Sequence, residues 1–123
     1  MALTKKVSEI LSWYSSENPG TLGNISKLLM SGKLAGTGKL VILPVDQGFE
    51  HGPDRSFSIN PEAYDPHYHI NFAIEAEMSA FAAPLGMIES GTSSFYNKIP
   101  FILKCNSSNS LTNIKDQAIT GNV

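Results

Sequence analysis

The stretch Lys39-Leu-Val-Ile-Leu-Pro-Val-Asp-Gln-Gly-Phe-Glu-His-Gly-Pro-Asp54 decides the fold that this sequence predicts. Its first half, residues 40–45, is a continuous apolar run rich in β-branched residues. Such a run is typical of a strand buried on both faces of a parallel sheet. Its second half places Asp46, Glu50 and His51 close together in a loop that contains glycine and proline. Because α/β enzymes present reactive groups where buried strands end, Asp46 is the first candidate active-site residue.

The composition is that of an ordinary globular chain. The 123 residues are sufficient for one modest domain, and 41% of them are hydrophobic. Nine Lys and Arg residues against eleven Asp and Glu residues leave no basic excess that would favour nucleic acid. No stretch resembles a signal peptide or a membrane span, and the single cysteine, Cys105, suits a reducing compartment. The composition therefore predicts a cytoplasmic protein that binds neither nucleic acid nor membrane.

The first 38 residues predict a helical lead-in without recognisable chemistry. A helix over residues 4–17 is predicted by four apolar residues at amphipathic spacing: Val7, Ile10, Leu11 and Tyr14. Asn18-Pro19-Gly20 should stop this helix. Thr21 should then cap a second helix that ends near Gly32.

From residue 39 onward, strand patterns alternate with helix patterns. The segments predicted, in order, are a strand at 39–46, a long irregular loop at 47–66, a helix at about 67–79, a strand at 80–84, a loop with a short helix at 85–97 and a strand at 99–105. A loop as long as the one predicted at residues 47–66 is often functional. This order predicts an α/β protein whose parallel strands are joined by right-handed crossovers.

The last segment predicts an unfinished unit. Residues 106–113 form a Ser/Asn-rich loop, and residues 115–123 look like the approach to another helix, with Thr120 or Asn122 as its N-cap. A parallel sheet of only three strands would leave its apolar outer strands open to pairing. We therefore expect this chain to be the front part of a longer one.

Four stretches together resemble one enzyme family. Val45-Asp-Gln-Gly-Phe-Glu-His-Gly-Pro53 closely resembles the Asp-His-Gly-x-Glu-His-Gly-Pro type of motif in archaeal-type class I fructose-bisphosphate aldolases, with Gln47 in place of the more usual histidine. Three further stretches are similar to the same family: Ile70-Asn-Phe-Ala-Ile-Glu-Ala76, Ala82-Ala-Pro-Leu-Gly86 and Phe101-Ile-Leu-Lys-Cys-Asn-Ser107. The resemblance extends over residues 39–123.

The resemblance implies the N-terminal part of a (β/α)8 TIM barrel, with about three β/α units in residues 39–123 after the lead-in of residues 1–38. It implies a lysine that forms a Schiff base with a phosphorylated sugar, so that fructose 1,6-bisphosphate is cleaved to dihydroxyacetone phosphate and glyceraldehyde 3-phosphate without metal or other cofactor. The family's Schiff-base lysine lies on a late strand, expected beyond Val123, so the isolated chain is expected to be inactive. The family is usually homo-oligomeric.

Asp46 and Lys104 are the candidate catalytic residues, both in supporting roles. Asp46 matches the aspartate of the motif and would hold a substrate hydroxyl or assist proton movement during carbinolamine dehydration. Inward side chains of alternate barrel strands share a layer, so Lys104 would meet Asp46 across roughly 10 Å of sheet. The intervening strand offers mainly small residues, which leave space for a ligand: Ala80, Ala82 and Ala83. The structural alternatives are a capping or loop-forming Asp46 and a solvent-facing or merely ion-paired Lys104.

Gln47, Glu50 and His51 are the candidate substrate-binding residues, with anchoring of the loop as their structural alternative. Gln47 would retain only hydrogen bonding, because glutamine does not titrate as histidine does. Asp65, His67 and His69 predict no metal site, since two histidines spaced i, i+2 project to different sides of a helix.

Residues 90–94 and 106–110 are candidates for binding phosphate through backbone N–H groups, and ordinary polar loops are the alternative. Cys105 lacks a partner that would make it a nucleophile. Two other functions stay open: a related Schiff-base aldolase or transaldolase-type barrel acting on another phosphorylated sugar, and a non-catalytic truncated product.

Overall fold

The structure, a computed structural model, describes residues 2–108 and 117–121. The helices are α1 (Lys5–Ser12), α2 (Pro19–Leu29), α3 (Gln47–Glu50), α4 (Pro53–Phe57), α5 (Pro66–Glu75) and α6 (Leu85–Gly91), with 3₁₀ turns at Pro61–Tyr64 and Thr92–Ser94. The strands are β1 (Ile42–Pro44), β2 (Ala80–Pro84), β3 (Phe101–Lys104), β4 (Asn106–Ser107) and β5 (Ala118–Ile119). No helix in the described ranges is long and apolar enough to cross a membrane.

The central feature is a parallel sheet in the order β1-β2-β3. Leu43 pairs with Phe81, and Phe81 pairs in turn with Phe101, so the three strands run side by side in one direction. α5 and α6 pack against this sheet, and the buried core beside them consists of Val45, Ile70, Ala73, Phe81, Ala83, Phe95 and Ile99. The predicted α/β order with parallel strands is confirmed.

The two faces of β2 have different environments. Phe81 and Ala83 are fully buried in the core under the helices, whereas Ala82 and Pro84 are half-buried on the other face. Side chains alternate along a strand, so Ala82 and Ala83 cannot face the same side. The prediction that Ala83 borders the site with Ala82 is therefore wrong.

β1 is shorter and more exposed than predicted. Strand pairing covers Ile42–Pro44 instead of residues 39–46, and Leu40, Val41 and Ile42 are each more than a third exposed. Within the part of the chain that the structure describes, β1 pairs with β2 on one side only. A strand with an unpaired side is open to solvent along that side. Among the described residues, β2 is the strand that pairs with β1.

The lead-in contains two helices, as predicted, but their boundaries differ. α1 begins after Thr4, whose hydroxyl oxygen accepts a hydrogen bond from the Val7 N–H at 3.2 Å, and it ends at Ser12 instead of residue 17. α2 is capped by Asn18, whose side-chain oxygen accepts from the Thr21 N–H at 2.9 Å. The predicted cap at Thr21 is wrong, because proline is well tolerated at the first helical position, where its missing N–H needs no partner.

Residues 47–66 are more regular than the predicted loop. They contain α3, α4 and a 3₁₀ turn, and Pro53 and Pro61 each start a helical turn instead of interrupting one. The ring of Phe57 is buried and meets Tyr64 edge-on at 5.7 Å between centroids. These short helices form a small layer beside the end of β1.

The last described residues form an antiparallel pair, β4 with β5, where the sequence predicted a loop and the approach to a helix. Thr120, one of the two predicted helix N-caps, directly follows β5. Its hydroxyl donates to the Lys104 carbonyl at 2.8 Å and its N–H donates to the Cys105 carbonyl at 2.7 Å, so this segment is anchored to the end of β3. Asn122, the other predicted cap, lies outside the described residues.

Replacing Phe81 by alanine should lower the free energy of unfolding by about 3–5 kcal/mol, because the ring is fully buried at the centre of the core. Urea denaturation followed by circular dichroism measures this change. Ile59→Ala is the control, since Ile59 is 96% exposed and should change stability by less than about 0.5 kcal/mol. Equal effects of the two substitutions would contradict the assignment of the core.

Asp65 caps α5, and its titration gives this cap a pH dependence. Its carboxylate accepts from the His67 N–H at 2.9 Å, and the His67 Nδ1 lies 2.7 Å from the same oxygen. The hydrogen bond from the His67 backbone, followed by that from its side chain, holds the pKa of Asp65 below its ordinary value of 3.8. A carboxylate with a lowered folded-state pKa stabilises the fold above its unfolded-state pKa and ceases to do so as pH falls through the folded-state value.

The melting temperature of Asp65→Ala should therefore lie below that of the unchanged protein by a constant difference between about pH 5 and 7, and the difference should shrink below about pH 4. Thermal melts over this pH range measure it. A difference that grows on acidification would contradict the sign of the pKa shift.

Candidate functional site

The candidate site lies where the three parallel strands end. Asp46 follows β1 by two residues, and Lys104 is the last residue of β3. Pro84, the last residue of β2, pairs in register with Lys104 and lies between them. The carboxyl ends of all three strands therefore meet at one edge, which is where α/β barrels hold their reactive groups.

Asp46 and Lys104 form an ion pair between Oδ2 and Nζ. Asp46 is only 8% exposed, whereas the Lys104 side chain is 37% exposed. A carboxylate withdrawn from water is destabilising unless charges or hydrogen bonds compensate it, and the ammonium group supplies that compensation. The alternation of inward side chains predicted that these two residues would face each other across roughly 10 Å, with space for a ligand, whereas the structure brings them into direct contact. Of the two structural alternatives for Lys104, the ion-paired one describes the contact that is observed.

Ser107 is a third member of the cluster. It is 1% exposed. Its hydroxyl donates to Asp46 Oδ2 at 3.2 Å and accepts from Lys104 Nζ at 3.5 Å. Pairing of β4 with β5 brings Ser107 opposite Ala118. Sequence reasoning missed this role, because Ser107 lies in a segment rich in Ser and Asn and its contact with Asp46 spans 61 residues. The apparent polar loop thus contributes a buried side chain.

Asp46 lines an open cleft of about 390 Å³. Its walls come from Asp46 and Phe49 after β1, from Pro84 and Met87 at the end of β2, and from Ile119 of β5. A cleft of this size accepts a small metabolite. One carboxylate in an otherwise mainly apolar lining suits a ligand portion that carries a hydroxyl group but no charge.

The three predicted substrate-binding residues lie on or next to α3. The side-chain oxygen of Gln47 accepts from the Asp46 N–H at 3.1 Å, and Glu50 is half-buried in the same helix. Gln47 and His51 line a separate cleft of about 490 Å³, together with Arg55. Gly48 and Phe49, by contrast, line the cleft of about 390 Å³ beside Asp46. The motif residues are thus divided between two sides of the short helix.

The other polar candidates are engaged locally. His69 Nε2 lies 2.8 Å from the Ala63 carbonyl, and His67 contacts Asp65 at the start of α5. Within residues 2–108 and 117–121, no three His, Cys, Asp or Glu side chains are arranged to hold a metal ion. Ser90 lies on α6 and donates to the Gly86 carbonyl at 2.7 Å. Of the second proposed phosphate segment, Asn109 and Ser110 lie outside the described residues.

Comparison with known proteins identifies relatives of this chain. The model of the DeoC/LacD family of aldolases matches residues 40–122. The chain is 41% identical over 92 residues to the probable fructose-bisphosphate aldolase class 1 of Chlamydia trachomatis. This match covers 75% of this chain and 26% of the relative. It is 36% identical over 77 residues to the fructose-bisphosphate aldolase class 1 of Thermoproteus tenax, covering 62% of this chain and 27% of the relative.

A solved structure shares the same architecture. It is that of a Schiff-base-forming fructose-1,6-bisphosphate aldolase, with a TM-score of 0.62 and 30% identity over 77% of this chain and 36% of the other. The chain therefore spans about a quarter of the length of the curated relatives it matches.

Removing one member of the ion pair should destabilise the fold more than removing both. Lys104→Met leaves the Asp46 carboxylate without its cation, and we expect a loss of about 1–3 kcal/mol, less than for a fully buried pair because Lys104 is partly exposed. The double variant Asp46→Asn, Lys104→Met should recover part of this loss. Urea denaturation of the single and double variants measures the coupling, and strictly additive effects would contradict the pair.

Proposed function

The chain belongs to the DeoC/LacD family of aldolases, and from this premise we propose that it is the first part of a Schiff-base fructose-bisphosphate aldolase. Its parallel β/α units are part of a TIM-barrel fold. The proposed substrate is fructose 1,6-bisphosphate, which the complete protein would cleave to dihydroxyacetone phosphate and glyceraldehyde 3-phosphate. The observation that carries this proposal is the buried Asp46 beside an open cleft at the carboxyl ends of the strands, in a chain 41% identical to a class 1 aldolase.

The proposed reaction proceeds through an imine. A neutral lysine amine adds to the ketose carbonyl, and loss of water from the carbinolamine gives the protonated Schiff base. This cation accepts the electrons of the bond between the α- and β-carbons, which breaks to leave an enamine as the hydroxyl on the departing aldehyde fragment loses its proton. Protonation of the enamine and addition of water then release dihydroxyacetone phosphate and restore the lysine amine. The imine is the electron sink, so the proposed chemistry requires neither a metal nor another cofactor.

Lys104 is proposed to support the reaction without forming the imine. An ammonium group paired with Asp46 has no free electron pair with which to attack a carbonyl. Its role is to hold the Asp46 carboxylate at the edge of the cleft, together with Ser107. The imine-forming lysine is proposed to come from another barrel strand of the complete protein.

Asp46 is proposed to contact the substrate directly. Its carboxylate accepts a hydrogen bond from a substrate hydroxyl or assists proton movement during carbinolamine dehydration. Gln47, Glu50 and His51 stay proposed substrate-binding residues. Because Gln47 and His51 line the cleft on the other side of α3, they would contact a different part of the substrate from Asp46.

The remaining partner and location proposals rest on composition and family resemblance. We propose a cytoplasmic protein that forms homo-oligomers and binds no nucleic acid. Its near-balanced count of basic and acidic residues supports the last point.

A chimera tests the proposed function. Residues 40–122 should replace the matching segment of the Chlamydia trachomatis relative with retention of fructose 1,6-bisphosphate cleavage, because the two chains are 41% identical over 92 residues. Asp46→Asn in the chimera should lower kcat by about 100-fold or more, the loss typical of a general acid–base group. Asp54→Asn, an exposed change on α4, should leave kcat unchanged.

Borohydride reduction with dihydroxyacetone phosphate provides the second readout of the same experiment. The chimera should be trapped on a lysine contributed by the Chlamydia portion, and the 123-residue chain alone should form no adduct. A folded chimera that cleaves other phosphorylated ketoses but not fructose 1,6-bisphosphate would refute the substrate assignment. A stoichiometric adduct on Lys104 would refute its supporting role.

A further inference from the structure

A third cleft, of about 660 Å³, lies at the opposite end of the sheet from Asp46. One wall is α2, and the other is the segment of residues 93–101 that leads into β3. We call it the amino-end cleft, because it borders Phe101 at the start of β3, whereas Lys104 ends the same strand roughly 10 Å away. The amino-end cleft shares no lining residue with the cleft beside Asp46.

The polar lining of the amino-end cleft is suited to an anion. Lys27 lines it from α2, and Lys98, whose Nζ lies 5.5 Å from the centre of the Phe95 ring, lines it from the segment before β3. Asn24 and Asn97 add amide groups from the same two walls. Among the described residues that line this cleft, none is acidic. Two ammonium groups on separate elements, with no carboxylate among the lining residues to neutralise them, favour a phosphate-sized anion.

The charge distribution of the chain supports the same conclusion. Residues 1–38 contain four lysines and two glutamates, a formal net charge of +2, in a chain whose net charge is −2. The sequence of α2 contains no acidic residue. The lead-in is therefore the basic part of an otherwise acidic chain, and its field favours anions in the amino-end cleft.

The amino-end cleft also has an aromatic and apolar part. The Tyr96 side chain lines it and is 75% exposed. Leu28, Ile99 and Phe101 supply apolar surface beside this ring. The volume is in the range that accepts an organic ligand and is much larger than a free phosphate requires. An exposed aromatic ring is a platform on which a planar heterocycle stacks.

We propose that the amino-end cleft binds a nucleoside phosphate, with the phosphate between Lys27 and Lys98 and the base against Tyr96. Active sites of TIM-barrel enzymes lie at the carboxyl ends of the strands, so a ligand at the amino ends is not the substrate. The proposal does not depend on the aldolase reaction, because it rests on residues at the other end of the sheet.

Isothermal titration of the 123-residue chain with AMP, adenosine and inorganic phosphate tests this proposal. We expect AMP to bind with a Kd on the order of 0.1 mM, and adenosine and phosphate each to bind at least 10-fold more weakly, since each lacks half of the contacts. Absence of AMP binding at about 10 mM would overturn the proposal. Equal affinity for AMP and phosphate would overturn the role of Tyr96, and equal affinity for AMP and adenosine would overturn that of the lysines.

Matched variants locate the site. Lys27→Gln and Lys98→Gln should each weaken AMP binding at least 5-fold. Lys39→Gln removes the same charge from an exposed position outside the cleft and should leave the affinity unchanged. Asp46→Asn should also leave the affinity for AMP unchanged. Loss of AMP binding in that variant would assign the ligand to the cleft beside Asp46 and overturn the proposal.

Lysine acetylation of the unaltered chain gives a readout that does not depend on the folding of any variant. Mass spectrometry should show that AMP slows modification of Lys27 and Lys98 by at least 3-fold relative to Lys39. Equal protection of all three lysines would overturn the proposed site.

Discussion

The ion pair between Asp46 and Lys104 is the interaction on which the described site depends. Asp46 is 8% exposed, and a carboxylate so far from water is stable only with a compensating charge and hydrogen bonds. Lys104 provides the charge, and the Ser107 hydroxyl provides a hydrogen bond. Because the pair joins the ends of the two outer strands, it also holds the edge of the sheet at which the cleft forms.

The two faces of the sheet differ in burial, and its two ends differ in the residues that line their clefts. Phe81 and Ala83 are buried in the core, whereas Ala82 and Pro84 lie on the other face and are half-buried. At the carboxyl ends, the cleft contains a carboxylate and mainly apolar walls. At the amino ends, Lys27 and Lys98 line a cleft without acidic residues among those described. Our two proposals thus place substrate chemistry and anion binding at opposite ends of one sheet.

Local patterns in the sequence account for most of the architecture. Hydrophobic periodicity predicted the lead-in helices, α5 and the three parallel strands, because each of these signals is contained within a few residues of chain. The errors have local physical causes. Pro19 and Pro53 occupy the first turns of helices, where proline is favourable, although prolines in general suggest interruption. The Asp46 motif and the resemblance that it carries were likewise readable without a structure.

Contacts between distant residues required the three-dimensional fold. Asp46 and Ser107 are 61 residues apart, and no periodicity connects them. The pairing of β4 with β5 converts a Ser/Asn-rich segment into the support of a buried ion pair. The turn of α3 directs Gln47 and His51 away from the cleft that Asp46 shares with Phe49. Sequence patterns report which residues follow a strand, but the side on which each residue lies depends on backbone direction and on packing against remote elements.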